Sequence, residues 1–174
     1  MAGVTPKFKI EWTKKDKKTY SVSGNTYEDA FKFFGKKNAS KEEWAAFSHE
    51  RPGISFLPAK GEPITDVTLK VGYTITMPSW GKANSLGKNR KAAWDKMMTA
   101  LAKHEENHRV ILLEQATLFG EKITSGTDLS LKKLAELFKS FPTDVKAAQD
   151  KYDASSSHGE KEGVFLAAPD KCTD

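Results

Sequence analysis

Hydrophobic and polar residues alternate most regularly between Val67 and Met77, where Val67, Leu69, Val71, Tyr73, Ile75 and Met77 take every second place. That period of two predicts a β-strand, which Pro78 ends. Two shorter alternating stretches, residues 7–12 and 18–23, flank Lys14, Lys15, Asp16, Lys17 and Lys18 and predict a β-hairpin with a charged turn. Elsewhere the rhythm is helical. Asn25 and Thr26 followed by Glu28 and Asp29 predict a capped helix start, with Tyr27, Ala30, Phe31 and Phe34 as the buried side and Gly35 as the stop. Ser40 with Glu43 three residues on predicts a second, short helix that buries Trp44 and Phe47.

The longest periodic stretch follows a loop over residues 79–87. Trp94, Met97, Met98, Leu101, Ile111, Leu112, Leu118 and Phe119 recur at spacings of three and four, which predicts one amphipathic helix over residues 88–119, with Gly120 as its stop. Two further helices are expected, one opened by Asp128 or Ser130 and ended before Pro142, the other opened by Thr143 or Asp144. Residues 153–159 read as a polar loop, and residues 164–168 as a short strand or an ordered tail. Turn-forming pairs lie at Pro52 and Gly53 and at Gly61, Glu62 and Pro63. The whole predicts one α+β domain over residues 1–174, a small mostly antiparallel sheet packed on a long helix with further helices C-terminal to it.

Composition narrows this only a little. With 174 residues, 38% of them hydrophobic, the chain is long enough for a core, burying roughly 70% of its unfolded surface. A net charge of +5 and a pI near 9.1 allow an anionic partner. Lysines and carboxylates are nevertheless interspersed, as on an ordinary solvated surface, so no nucleic-acid partner is expected. Cys172 is the only cysteine, which excludes an intramolecular disulfide and a cysteine-rich metal site. The first residues lack the charged-then-apolar order of a signal peptide, and no stretch has transmembrane length.

The chemistry concentrates in the long helix, at His104, Glu105, Glu106, Asn107 and His108, an H-E-x-x-H sequence. Extending the apolar rhythm through it puts His104, Glu105 and His108 on the buried face. Burying such groups costs roughly 2–7 kcal/mol for each one left unpaired. A zinc ion would satisfy all three, with two neutral imidazoles as ligands and Glu105 as the general base that takes a proton from water. A third ligand is needed. A continuation with further glycine and histidine is excluded, because Ile111 and Glu114 stand where those would be. Glu121, Glu136 and His158 remain as donors, His158 in a loop of small residues. His49 reads as a surface or packing residue.

Three blocks resemble a bacterial domain-of-unknown-function family described as predicted secreted zinc-dependent proteases. Tyr20, Val22 and Gly24 resemble its Y-x-V-x-G strand end, and Met77, Pro78 and Trp80 its aliphatic-Pro-x-Trp strand end before the H-E-x-x-H helix. Residues 152–159, with Tyr152, Asp153, Ser156, His158 and Gly159, resemble its Y-D-x-x-[TS]-x-H-G block. The resemblance implies a zincin-like fold and a zinc metalloprotease with His104, His108 and His158 as ligands of one Zn²⁺ ion and Glu105 as base. It also implies site roles for Tyr152, as donor to the oxyanion, and Asp153, as acceptor from a ligating histidine. The substrate would be a peptide or protein, paired with the 67–77 strand if that strand is an exposed edge, and the location secreted or periplasmic. Two other readings fit the residues: a non-catalytic basic module that binds an anionic partner, and a zinc amidase acting on cell-wall peptides.

Overall fold

The strand with the strictest alternation is the centre of the sheet. In the computed structural model, which describes residues 3–40, 42–58, 60 and 63–173, four strands run as β1 (Lys7–Ser21), β2 (Ala46–His49), β3 (Gly53–Leu57) and β4 (Asp66–Ser79). The order is β1-β4-β2, with β3 also paired to β4. β3 and β4 are antiparallel, in register from Gly53 opposite Lys70 to Leu57 opposite Asp66. β1 runs parallel to β4, since Lys7 N–H bonds Thr65 O at one end (2.8 Å) and Val22 N–H bonds Ser79 O at the other (2.9 Å). The sheet is therefore mixed rather than mostly antiparallel, and β4 has neighbours on both sides, so it is not the exposed edge. The turn expected at Gly61 and Glu62 lies outside the described residues.

The expected hairpin is a single strand. Residues 13–18 contain no glycine, proline or asparagine to reverse the chain, and the exposed and half-buried positions of β1 keep alternating through Asp16. A parallel neighbour needs a crossover connection, and helix α1 (Tyr27–Ala39), β2 and β3 lie in it. Thr26 caps α1 by accepting the Asp29 N–H while the Asp29 carboxylate accepts the Asn25 and Thr26 N–H groups. The helix passes through Gly35, and Ser40 closes it by donating from Oγ to Lys36 O and Lys37 O (both 3.1 Å). Ser40 thus ends a helix where the sequence predicted that it starts one, and Phe47 lies in β2.

Helix α2 spans Lys88–Thr124 and α3 spans Leu131–Ser156. Gly120 does not stop α2. It is buried there, and the close approach of the Phe8 ring requires glycine, since a Cβ would come within 2.3 Å of that ring. Pro142 lies inside α3, where its missing N–H costs about 3 kcal/mol, yet the helix continues because Phe141 and Val145 on either side of it are buried. Residues 164–168 form no strand, although Val164 and Leu166 are buried.

Contacts divide the chain into two compact units. The first comprises Met1–Lys15, His49–Tyr73 and His108–Lys151; its core includes Ile64, Val67, Leu69, Leu112, Phe119, Ile123, Leu134 and Val145. Phe119 meets Phe8, Phe138 and Phe141 edge-on at 5.8, 6.5 and 5.5 Å. The second comprises Asp16–Ser48, Thr74–Asn107 and Tyr152–Asp174. Tyr27, Phe34, Trp80, Trp94, Met97 and Leu101 form its core, with Trp80 and Trp94 at 5.2 Å, and the Tyr27 hydroxyl donates to Ala167 O (2.8 Å). Among the described residues no helix is long and apolar enough to cross a membrane.

Candidate metal centre

Helix α2 buries Trp94, Met97, Leu101, Leu112, Ala116, Phe119 and Ile123, and the gap in that stripe between 101 and 112 is filled by His104, Glu105 and His108. These three are only 5%, 3% and 7% exposed. The periodicity of the helix therefore delivers two imidazoles and a carboxylate to positions where leucine would otherwise be expected. His104 and His108 stand one turn apart and their nitrogens converge.

Each imidazole is held through its Nδ1. Gln149 Nε2 donates to the His108 carbonyl oxygen (2.9 Å), which fixes the amide so that Oε1 accepts from His108 Nδ1. Nδ1 of His108 therefore carries the hydrogen, and Nε2 carries the lone pair. His104 Nδ1 lies 2.8 Å from Glu162 Oε2, a carboxylate oxygen that only accepts. His104 Nε2 faces Asp153 Oδ1 at 3.4 Å. One ligand atom each from His104, His108 and Asp153 lie within 4.8 Å of one another.

With the His104 ring neutral, the lone pair on Nε2 faces a carboxylate oxygen, a repulsion that a proton or a bound cation between the two atoms removes. Asp153 and Glu162 bring two carboxylates to rings that are neutral in this arrangement, so a divalent cation fits the donor set: two imidazole nitrogens and one carboxylate, with outer acceptors on both rings. Glu105 lies beside the cluster. Burial, with Glu43 and Asp153 as neighbouring charges, pushes its carboxyl up to about 8, against the opposing effect of a bond with the Phe47 backbone of β2. Burial also raises Glu162, but its hydrogen bonds with His104 and Tyr152 outweigh that and hold its carboxyl below the usual carboxylate range.

The last turns of α3 supply the other wall. Gln149, Tyr152, Asp153 and Ser156 follow at spacings of three, one and three, on one face of the helix. The Tyr152 ring stacks on His104 with centroids 5.0 Å apart, and burial raises its hydroxyl above the ordinary tyrosine value. That hydroxyl donates to the Glu162 carboxylate (2.9 and 2.8 Å) and accepts from Asn107 Nδ2 (2.8 Å). Beyond Ser156 the chain turns through left-handed backbone at Ser157, His158 and Gly159 (φ 52, 51 and 85°). The His158 N–H bonds Asp153 O (2.8 Å) and the Gly159 N–H bonds Ser156 Oγ (3.2 Å). A Cβ at Gly159 would come within 2.6 Å of Val164 Cγ2 and 3.3 Å of His104 Cγ, so only glycine lets the loop lie this close to the ring.

Of the residues singled out by sequence, His104, Glu105, His108, Tyr152 and Asp153 are brought together. His158 joins them through its backbone, while the residue is exposed and its ring is not among the grouped ligand atoms. Glu121 and Glu136 are exposed and outside the group, and exposed His49 has its Nδ1 3.2 Å from Glu50 O. Sequence reading missed Gln149, Asn107 and Glu162. Gln149 sits one turn before Asp153 and was detectable had the last predicted helix been carried past Tyr152 to Ser156; Glu162 lies in a 3-10 turn with no periodic signal.

The model of a family described as bacterial protein of unknown function (DUF922) matches residues 17–159. No curated protein and no solved structure matches the chain.

Proposed function

Because the chain belongs to the bacterial family of unknown function DUF922, we propose an activity from its own residues: a zinc-dependent metallopeptidase with Glu105 as general base. The observation that carries the reading is the convergence of His104, His108 and Asp153 within 4.8 Å beside the buried Glu105. In this reading Asp153 is the third donor in the place the family resemblance gives to His158, because its carboxylate stands with the two imidazoles.

A zinc ion held by these donors would polarise a substrate carbonyl and acidify a water molecule. Glu105 would take the proton from the attacking water and pass it to the leaving nitrogen. Burial raises the proton affinity of this carboxyl, the direction that suits a group which must accept a proton and return it. The Phe47 backbone would hold that carboxylate in place during both transfers.

The test is hydrolysis of an unfolded protein by the zinc-loaded wild type and by Glu105→Gln. Loss of about 10²–10⁴-fold in the variant, with zinc retained, is expected for removal of a general base. Equal activity in the two would refute the role of Glu105. Two outcomes would favour other readings: hydrolysis of cell-wall peptides but not of protein would favour an amidase, and salt-sensitive binding of a polyanion without hydrolysis a basic interaction module.

A further inference from the structure

We propose that Glu162 is a positioning residue for His104, acting within a closed circuit of hydrogen bonds that leaves α2 at Asn107 and returns to it at His104. The proposal rests on the metal-binding reading above and deepens it. Asn107 occupies an unspecified place in the H-E-x-x-H sequence, and Glu162 lies beyond the end of the family match at residue 159. Neither would be chosen from the motif.

With the His104 ring neutral, as a metal ligand must be, the circuit has one consistent set of protons. Asn107 Nδ2 can only donate, so the Tyr152 oxygen accepts from it (2.8 Å) and directs its own hydrogen to Glu162 (2.9 and 2.8 Å to its two oxygens). The Glu162 carboxylate can only accept, so the hydrogen of the 2.8 Å contact with His104 belongs to Nδ1 of the ring. The neutral ring then has its lone pair on Nε2, the nitrogen that faces Asp153. Tyr152 also stacks on the same ring with an interplanar angle of 25°, and Gly159 approaches it where a side chain would not fit. Glu162 thus sets the ring's rotation in its plane while the others restrict its tilt. His108, by contrast, is held by the neutral amide of Gln149. A carboxylate partner gives a stronger, charge-assisted bond and a more basic ligand nitrogen, so the two histidines are unequal and His104 is the one tuned by charge.

A clasp that merely tied residues 159–164 to α2 would lower the melting temperature and do nothing else. Two readouts separate the roles. The first is zinc affinity by competition with a chelator, below the melting temperature, for wild type, Glu162→Ala, Glu162→Gln and Tyr152→Phe. Glu162→Ala is expected to bind about 10–100-fold more weakly, Glu162→Gln to recover part of that through its remaining acceptor oxygen, and Tyr152→Phe combined with Glu162→Ala to be no weaker than Glu162→Ala alone. The second needs no metal: the imidazole ¹⁵N spectrum of the zinc-free protein, in which His104 is expected to be protonated at Nδ1 in wild type and to lose that preference in Glu162→Ala. Wild-type zinc affinity and an unchanged His104 spectrum in Glu162→Ala would overturn the positioning role alone. A wild type that binds no zinc would overturn it together with the metal reading.

Discussion

Asp153 and His158 lie five residues apart in one turn of chain, and they make opposite predictions. The Asp153 carboxylate stands 3.4 Å from His104 Nε2, whereas His158 is exposed and contributes its N–H to the Asp153 carbonyl. Asp153→Ala removes the proposed third donor and is expected to weaken zinc binding by more than the roughly 10–100-fold that loss of an outer partner costs. His158→Gly should leave zinc binding unchanged. It should also raise the melting temperature, because glycine holds the φ of 51° without the roughly 1–2 kcal/mol that a side chain costs in left-handed backbone. Chelator competition and a thermal melt on the two variants check both, and loss of zinc in His158→Gly would return that residue to the ligand set. At this scale the sequence was informative where helical spacing is. His104, Glu105 and His108 could be placed on one face because α2 is regular around them, and residues 152–159 drew attention as a block. Which residue of that block stands with the two imidazoles depends on a backbone turn through three successive left-handed residues, and no periodicity encodes that.

Among the elements, α2 shows how two opposing effects meet at one position. In an open helix, Gly120→Ala would stabilise by about 1 kcal/mol through helix propensity. Here the new methyl would lie 2.3 Å from Phe8 Cδ1 and 3.1 Å from Cγ, so the whole ring must move rather than its tip. Overpacking of that kind costs about 1–3 kcal/mol, and the net expectation is a lower melting temperature, with no change in zinc binding. An unchanged or raised melting temperature would show that Phe8 moves aside freely. Helix α1 carries a pH-dependent cap. Hydrogen bonds with Thr26, then with the Asn25 and Thr26 backbones, hold the Asp29 carboxyl below its usual range. Its contribution to stability is therefore fully present above the unfolded value of about 4 and is lost as the pH falls through the lowered folded value. Asp29→Asn should flatten that part of the acid unfolding curve, measured by circular dichroism between pH 5 and pH 2, conditions set by the same reference value. β4 and α2 were readable because each buries one face and so repeats at two or at three and four. β1 was not, because its lysines interrupt the apolar rhythm without supplying a turn, and β2 was not, because four residues are too few to show a period.

For the molecule as a whole, the family match ends at residue 159 but the fold does not. Val164, Leu166 and Cys172 are buried in the core of the second unit, and the Ala167 carbonyl accepts the Tyr27 hydroxyl. Each buried apolar side chain of this size contributes about 1.5–3 kcal/mol, so losing the segment removes an amount comparable with the 5–15 kcal/mol that holds a typical domain together. A chain ending at Gly159 is therefore expected to lose cooperative thermal unfolding, and a sharp melt like that of the full chain would contradict the packing described for this segment. The α+β class could be foreseen from one clear strand and one long helix. The parallel placement of β1 could not, because strand order depends on which edges meet in space. The most direct test of the central claim is the zinc content of the purified full chain after equilibration with excess zinc and removal of the unbound ion, for wild type and for His104→Ala combined with His108→Ala. One zinc per chain in the wild type and none in the double variant is the expected result; a folded wild type that retains no zinc, or equal retention by both proteins, would contradict it.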